Sequence, residues 1–281
     1  MTPVRRVVKR MVIILVYITI ASAIGTAFYF IFRAKPNCTD GKKNQGEENI
    51  DCGGPCPKCE ILPQIENLVV SEKNIIQAGA SKYDALVKIQ NPNSLFGAAN
   101  FEYSFDFFDE NGQLIGKKEG ASFALPAETK YIFAFNTTEE KEPQRLDFRI
   151  KTVKWQKFLE YEEPDIPVFQ KEFDLISSGS GFAELKAKIR NRSNYNFKRI
   201  TTRAVLRDLQ GKPVAVNETN NNDVTTNEER EIIFRWNDPF SKDIDVQRIE
   251  VDAEVNVFDD ENFMRKYGSP DQYESYDING R

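Results

Sequence analysis

The chain has 281 residues, of which 40% are hydrophobic and 29% are charged. This composition is typical of a globular protein and excludes a wholly disordered or collagen-like chain. The sequence contains no histidine, which excludes every triad, dyad or metal site that needs an imidazole. The net charge is −5, and the first 35 residues contain six basic residues and no acid, so the remainder carries −11. An acidic body of this kind argues against nucleic-acid binding.

Residues 11–32 form an apolar segment of 22 residues without a charge. At about 1.5 Å per helical residue, this segment is long enough to cross the ~30 Å hydrocarbon layer of a lipid bilayer. The basic segment 1–10 precedes it, so the positive-inside rule predicts a cytoplasmic N-terminus and an extracytoplasmic body. Residues 21–23 (Ala-Ser-Ala) also fit a signal-peptide cleavage site, but the apolar run continues beyond them. We therefore expect an uncleaved transmembrane signal-anchor helix and a single-pass protein of the cell membrane.

A cysteine-rich module follows at residues 33–62. Its cysteines are Cys38, Cys52, Cys56 and Cys59. An even, clustered number of cysteines outside a membrane predicts a disulfide framework, although three pairings remain open. A four-thiolate zinc site is an alternative because the last two cysteines have metal-ligand spacing. A calcium site is a further alternative, without the spacing of an EF-hand. Its candidate ligands are Asp40, Asn44, Glu47, Glu48 and Asp51.

The cysteine segment resembles a short motif of exported bacterial proteins. The motif reads Cys-x-Asp-Gly, Asn-x-Gly-Glu, Asp-Cys-Gly-Gly-x-Cys and a final Cys, and it matches residues 38–59. The resemblance implies an extracytoplasmic cysteine-rich module next to an anchor or a β-domain. It implies no enzymatic role.

The rest of the chain contains an internal repeat with an offset of about 100 residues. In each copy a strand-like segment ends in asparagine, ALVKIQN at 85–91 and LKAKIRN at 185–191. Alternating apolar residues, separated by turn residues every ~8–12 positions, favour β-strands. The sequence therefore predicts an all-β ectodomain of two tandem immunoglobulin-like β-sandwiches, at 63–159 and 160–258, with about seven strands each.

Two segments of the first copy resemble bacterial FxLYD-type repeats and, more loosely, the water-stress and late-embryogenesis β-sandwich domains. They are VKIQNPN at 87–93 and FDFFDENGQLIG at 105–116, with weaker matches at 188–191 and 205–214 in the second copy. The second copy lacks the Asn-Pro-Asn sequence and the aromatic pair. The resemblance implies immunoglobulin-like, surface or membrane-anchored modules, and a fold of this kind does not define an activity.

The last segment, residues 259–281, contains six acids and three bases together with Gly, Pro and Ser. Its apolar residues show neither helical nor strand-like spacing. We therefore expect a flexible acidic tail.

The sequence offers no motif for catalysis or for a cofactor. It has no GxxxxGK[ST] loop and no strand–GxGxxG–helix unit. The 43 Asp and Glu residues include no pair that spacing singles out for a hydrolase. We therefore predict no enzyme, no cofactor, and no catalytic or metal-binding residue.

The expected function is that of a non-catalytic surface binding or structural module with an unidentified protein or cell-surface partner. One alternative is a subunit of a cell-envelope assembly, such as a secretion, pilus or division complex. A weaker alternative is a carboxylate-based extracellular hydrolase.

Overall fold

The structure is a computed structural model that describes residues 3–32, 38–39, 41–44, 46–48, 50–58, 64–137 and 141–276. The α-helices of the described residues are α1 (Pro3–Phe32) and α2 (Glu261–Tyr267), and short 3-10 helices lie at Val246–Arg248 and Val257–Asp259. The strands are β1 (Val69–Gln77), β2 (Tyr83–Gln90), β3 (Phe96–Phe108), β4 (Leu114–Ala124), β5 (Thr129–Ala134), β6 (Arg145–Phe158), β7 (Val168–Leu175), β8 (Ala183–Arg190), β9 (Phe197–Arg207), β10 (Pro213–Val224), β11 (Glu229–Trp236), β12 (Glu250–Val255) and β13 (Gly268–Tyr276). The chain divides into two units, Met1–Gln64 and Ile65–Arg281.

Helix α1 contains a 23-residue segment, Val7–Tyr29, with a mean hydropathy of 2.3. Its side chains are exposed, as those of a helix that faces lipid must be. The hydroxyls of Thr19 and Thr26 donate to the carbonyls of Val16 and Ser22, which satisfies groups that would be costly in hydrocarbon. The segment is therefore long and apolar enough to anchor the protein in a membrane, and a signal sequence would meet the same criteria.

The first half of the second unit consists of two antiparallel sheets, with the strand orders β1-β2-β5 and β13-β6-β3-β4. Because side chains alternate along a strand, one face of each sheet can be apolar. Val87 and Ile89 of β2 share one core with Phe101, Phe105 and other residues of β3. The two sheets therefore pack face to face as a β-sandwich.

The second half repeats this arrangement with the sheets β7-β8-β11 and β10-β9-β12. Leu185 and Ile189 of the first sheet share a core with Ile200 and Leu206 of the second. Matched in chain order, β7 to β12 take the places of β1 to β6, so the sequence repeat corresponds to a structural repeat. Within the described residues each half contributes six strands of its own, where about seven were expected, and β13 from the C-terminal segment adds a seventh to the first half.

The C-terminal segment differs from the flexible tail expected for residues 259–281. The Asp260 side chain accepts hydrogen bonds from two backbone N–H groups in the first turn of α2, which caps the helix. Phe263 and Tyr267 of this helix are buried in the core of the second half. The following strand β13 pairs with β6, and residues 277–281 lie outside the described residues. Two aromatic residues on one helix face thus outweigh the polar composition of the segment.

The two halves also pack against each other through the outer faces of the sheets β1-β2-β5 and β10-β9-β12. Leu86, Tyr131 and Phe133 of the first sheet form a buried cluster with Val205 and Val216 of the second. We call this contact the inter-sandwich interface. The second unit is therefore a stack of four sheets, and its two sandwiches are not separate domains joined only by a linker.

Candidate functional site

Three of the four predicted cysteines lie in the described part of the chain. Cys38 and Cys56 form a disulfide with a Cα–Cα distance of 5.6 Å. Cys52 is disulfide-bonded as well, and Cys59 lies outside the described residues. The sulfur atoms of Cys38 and Cys56 lie within 4.8 Å of a carboxylate oxygen of Glu47, a geometry that resembles a metal site. Because these two sulfurs are bonded to each other, they offer no thiolate to zinc.

The acidic residues proposed for calcium hold the backbone of this module. Glu47 is buried and accepts hydrogen bonds from the N–H groups of Asn44 and Asp51, at 3.2 and 3.3 Å. Asp51 in turn accepts from the N–H of Gly41 at 2.9 Å. These N–H groups point their positive ends at the oxygens that a cation would need. The pattern is that of turn stabilisation, and Asp40 lies outside the described residues.

Each copy of the repeat has an asparagine directly after its second strand, Asn91 in the first sandwich and Asn191 in the second. Asn91 and Asn191 are both 0% exposed. The Asn91 side-chain amide donates to the carbonyls of Phe96 and Leu125, at 2.7 and 2.8 Å, and its oxygen accepts from the N–H of Asn93. The Asn91 side chain is therefore hydrogen-bonded to the backbone at three positions at this end of the sandwich.

The same bonds recur in the second sandwich. Asn191 donates to the carbonyls of Tyr195 and Val224, at 2.7 and 3.4 Å, and accepts from the N–H of Ser193 at 3.1 Å. A buried polar group needs partners of this kind. The motif that carries the family resemblance is thus a structural element of the fold.

An Asp-x-x-Gly sequence recurs in both sandwiches, at 109–112 and 208–211, and in each the aspartate side chain stabilises a turn. Asp109 accepts from the N–H groups of Asn111 and Gln113, at 3.0 and 2.9 Å, and Asp208 makes the equivalent bonds at 3.0 and 2.8 Å. Gly112 closes the first turn with a φ of +75°, which glycine adopts without strain.

Charged side chains surround the apolar centre of the inter-sandwich interface. The Arg207 guanidinium contacts Glu72 at 3.0 Å, the Tyr131 hydroxyl at 3.0 Å, and Glu250. It also donates to the carbonyl of Gly211 at 2.9 Å. The Tyr131 hydroxyl donates to Glu250 at 2.5 Å. Arg207 therefore connects strands of the second sandwich to β1 and β5 of the first.

A second group of charges lies beside the first. Lys130 of β5 is 4% exposed, and its ammonium is 2.8 Å from a carboxylate oxygen of Glu254 on β12. The same ammonium lies 3.7 Å from the ring centroid of Phe123, a cation–π contact. Arg203 contacts the other oxygen of Glu254, and it bonds to Glu218 at 2.7 Å. Two cations thus bind both oxygens of the Glu254 carboxylate, whose side chain is 11% exposed.

We call these side chains together the ionic cluster. Its members are Glu72, Lys130, Tyr131, Arg203, Arg207, Glu218, Glu250 and Glu254. Among its charged members Lys130 is buried, and a buried charge is tolerated only when it is paired, so the loss of its partner Glu254 would be strongly destabilising.

The cations of the cluster and the Tyr131 hydroxyl keep Glu250 and Glu254 ionised. Burial alone would raise the pKa of Glu254, but the charges of Lys130 and Arg203 hold that pKa below its usual value. Burial would likewise raise the pKa of Glu250, and the Tyr131 hydroxyl and Arg207 lower it. At neutral pH both groups are therefore carboxylates.

Glu128, next to the cluster, is affected in the opposite direction. Burial raises its pKa, and the attraction of Lys130 offsets this only in part. A cleft of about 530 Å³ borders these residues and is also lined by Glu163 and Arg203. Carboxyl groups with diverging pKa values in a cleft are typical of catalytic acid–base pairs. Here, however, both oxygens of Glu254 are already bound by cations, which favours a structural role.

Sequence reasoning placed no function at this interface, although a signal was present. Residues 85–87 (Ala-Leu-Val) and 204–206 (Ala-Val-Leu) are consecutive apolar residues in strands that otherwise alternate. Such a run indicates a strand buried on both faces. Leu86 and Val205, the middle residues of these runs, face the neighbouring sandwich.

No protein-family model matches this chain, and no curated protein matches it. Among solved structures, the chain is similar to red sea bream transglutaminase, with a TM-score of 0.21 and 10% sequence identity. The alignment covers 68% of this chain and 31% of the transglutaminase chain. At that TM-score the similarity assigns neither a fold family nor an activity to this chain.

Proposed function

We propose that this protein is a single-pass, membrane-anchored extracytoplasmic module that binds a partner or supports structure, without catalysis. The observation that carries the proposal is the ionic cluster, whose charged groups bind one another across the inter-sandwich interface. These ion pairs connect the two sandwiches into one body. They also occupy the carboxylates of Glu250 and Glu254, which are therefore not available to act on a substrate. The apolar helix α1 and the Cys38–Cys56 disulfide support an anchored body in an oxidising compartment.

The first experiment is intact mass measurement and non-reducing peptide mapping of the protein purified from membranes. Retention of residues 1–35 together with two disulfides would support an anchored protein with its body outside the cytoplasm. Free or zinc-bound thiols would contradict that topology, because the cytosol keeps thiols reduced.

Native-size fractionation of a detergent extract distinguishes the surface module from a subunit of an envelope assembly. A particle of monomer size supports the proposed module. A stable larger particle that contains other envelope proteins would favour the assembly instead.

A further inference from the structure

The ionic cluster joins the two sandwiches through ion pairs whose acidic and basic members respond differently to a fall in pH. Its cations are Lys130, Arg203 and Arg207. Mild acid does not remove positive charge from basic side chains. Two of the carboxylates that pair with these cations, Glu250 and Glu254, lose their charge on protonation. Acid would therefore leave the buried Lys130 and the largely enclosed Arg203 and Arg207 without a counter-charge, which is strongly destabilising. The mutual repulsion of these cations opposes the packing of the small apolar cluster that they surround.

The two sandwiches are also connected at a second place, and this contact is mainly apolar. Leu125 and Phe158 of the first half pack with Phe263 and Tyr267 of helix α2 in the core of the second half. The rings of Phe158 and Phe263 have their centroids 6.5 Å apart. Protonation of carboxylates leaves such packing in place.

We propose that the inter-sandwich interface is an acid-sensitive latch, which holds the two sandwiches together at neutral pH and releases them in acid, with the apolar contact at α2 as the hinge. We expect each sandwich to keep its own core in the released form, because most residues of each core are apolar residues of its own two sheets. The exceptions, Leu125 and Phe158, belong to the contact at α2, which stays closed.

The charges that face the latch come from every strand around it. Glu254 faces charged groups of β5, β9, β10 and β12 and of the segments before β5 and β7: Lys130, Arg203, Glu218, Asp252, Glu128 and Glu163. Glu250 faces groups of β1, β2, β5, β9 and its own strand β12: Glu72, Lys88, Tyr131, Arg207 and Asp252.

Because acids outnumber cations there, the first protonations, such as that of Glu128, relieve repulsion. Glu250 and Glu254 have pKa values below the ordinary Glu value of 4.5, so the stabilisation they provide is present above that pH. It is lost as the pH falls through their folded-state pKa values. The latch therefore opens below about pH 4.5.

Hydrogen exchange of the full chain in detergent micelles tests the latch, with labelling between pH 7 and pH 3.5 and correction for intrinsic exchange rates. We expect exchange in β5 and β12, which carry the latch residues, to accelerate at least about tenfold in acid. Strand β8, in the sheet remote from the interface, is expected to keep its protection. Equal acceleration in all three strands, or none, would overturn the proposal.

Amino-acid substitution at neutral pH distinguishes opening of the latch from global unfolding by acid. Glu254→Gln removes the charge at pH 7, so we expect it to produce the acid pattern at neutral pH. The matched control is Glu231→Gln, an exposed glutamate of β11, which should leave β5 and β12 unchanged. If Glu254→Gln left β5 protected, or if it removed protection from β8 as well, the residue would not act as a latch.

Discussion

Asn91 shows how a single side chain stabilises the backbone at one end of the first sandwich, as Asn191 does in the second. Its amide is the partner of the Phe96 and Leu125 carbonyls inside the protein. We expect Asn91→Ala to lower the free energy of unfolding by about 2–4 kcal/mol, because both carbonyls lose a donor where water does not replace it. Urea unfolding measures the change. Asn222→Ala on the exposed face of β10 is the control, with an expected change within about 0.5 kcal/mol. Equal effects of the two substitutions would contradict the role assigned to Asn91.

Glu128 and Glu228 occupy equivalent positions of the repeat, and their environments shift their pKa values in opposite directions. Burial raises the pKa of Glu128. Hydrogen bonds from Thr225 and the neighbouring Arg230 lower that of Glu228. A raised carboxyl pKa means stability that is present in acid and lost as the pH rises; a lowered pKa means the reverse.

We therefore expect Glu128→Gln to raise the melting temperature at pH 7, with the gain shrinking towards pH 4. The glutamine oxygen still accepts from the N–H of Leu125, as the carboxylate does at 2.6 Å. Glu228→Gln is expected to lower the melting temperature at pH 7, and this loss should vanish in acid. Thermal melts at both pH values decide, and shifts of the same sign for both variants would rule out this account of the two sites.

At the scale of elements, helix α2 belongs to the core although its sequence is mostly polar. Phe263 is 1% exposed, and its ring centroid lies 5.2 Å from that of Tyr195. We expect Phe263→Ala to cost about 3–5 kcal/mol of unfolding free energy, because a buried aromatic ring is lost and a cavity remains. Arg265→Ala, on the exposed side of the same helix, should change stability by less than about 0.5 kcal/mol. Urea titration compares the two, and a loss below about 1 kcal/mol for Phe263→Ala would mean that the helix adds little to the core.

The strands were predictable from sequence, whereas the C-terminal segment was not. Alternation of apolar and polar residues depends on local geometry, so residues 85–91 and 185–191 indicate strands without knowledge of their partners. The burial of α2 depends on a pocket built from distant residues such as Phe158 and Tyr195. A seven-residue helix carries too few periodic positions to reveal that pocket in the sequence.

At the scale of the whole molecule, the packing of one sandwich on the other was also beyond the sequence. The repeat suggests independent domains, and charged residues such as Arg207 and Glu72 on outward positions indicate solvent. In the structure these two residues lie 3.0 Å apart across the inter-sandwich interface. The apolar runs at 85–87 and 204–206 indicate strands that are covered on both faces, but they do not reveal which two faces meet or which charged residues pair there. Similar reasoning applies to the cysteine module, where spacing predicts disulfides but leaves the pairing open.

The orientation of the whole protein in the membrane is expected to follow from charge at the ends of α1. Four basic residues precede the apolar segment: Arg5, Arg6, Lys9 and Arg10. Replacing all four with Gln removes the bias for a cytoplasmic N-terminus, because Arg33 and Lys35 then become the dominant flanking charges. We expect protease added to intact cells to degrade the wild-type body but to spare a large share of the variant. In the spared share, Cys38 and Cys56 would be reduced, since they would lie in the cytosol. The control is Arg33→Gln with Lys35→Gln, which strengthens the original bias and should leave the body accessible. A four-Gln variant that remained fully accessible would show that features other than flanking charge orient the chain.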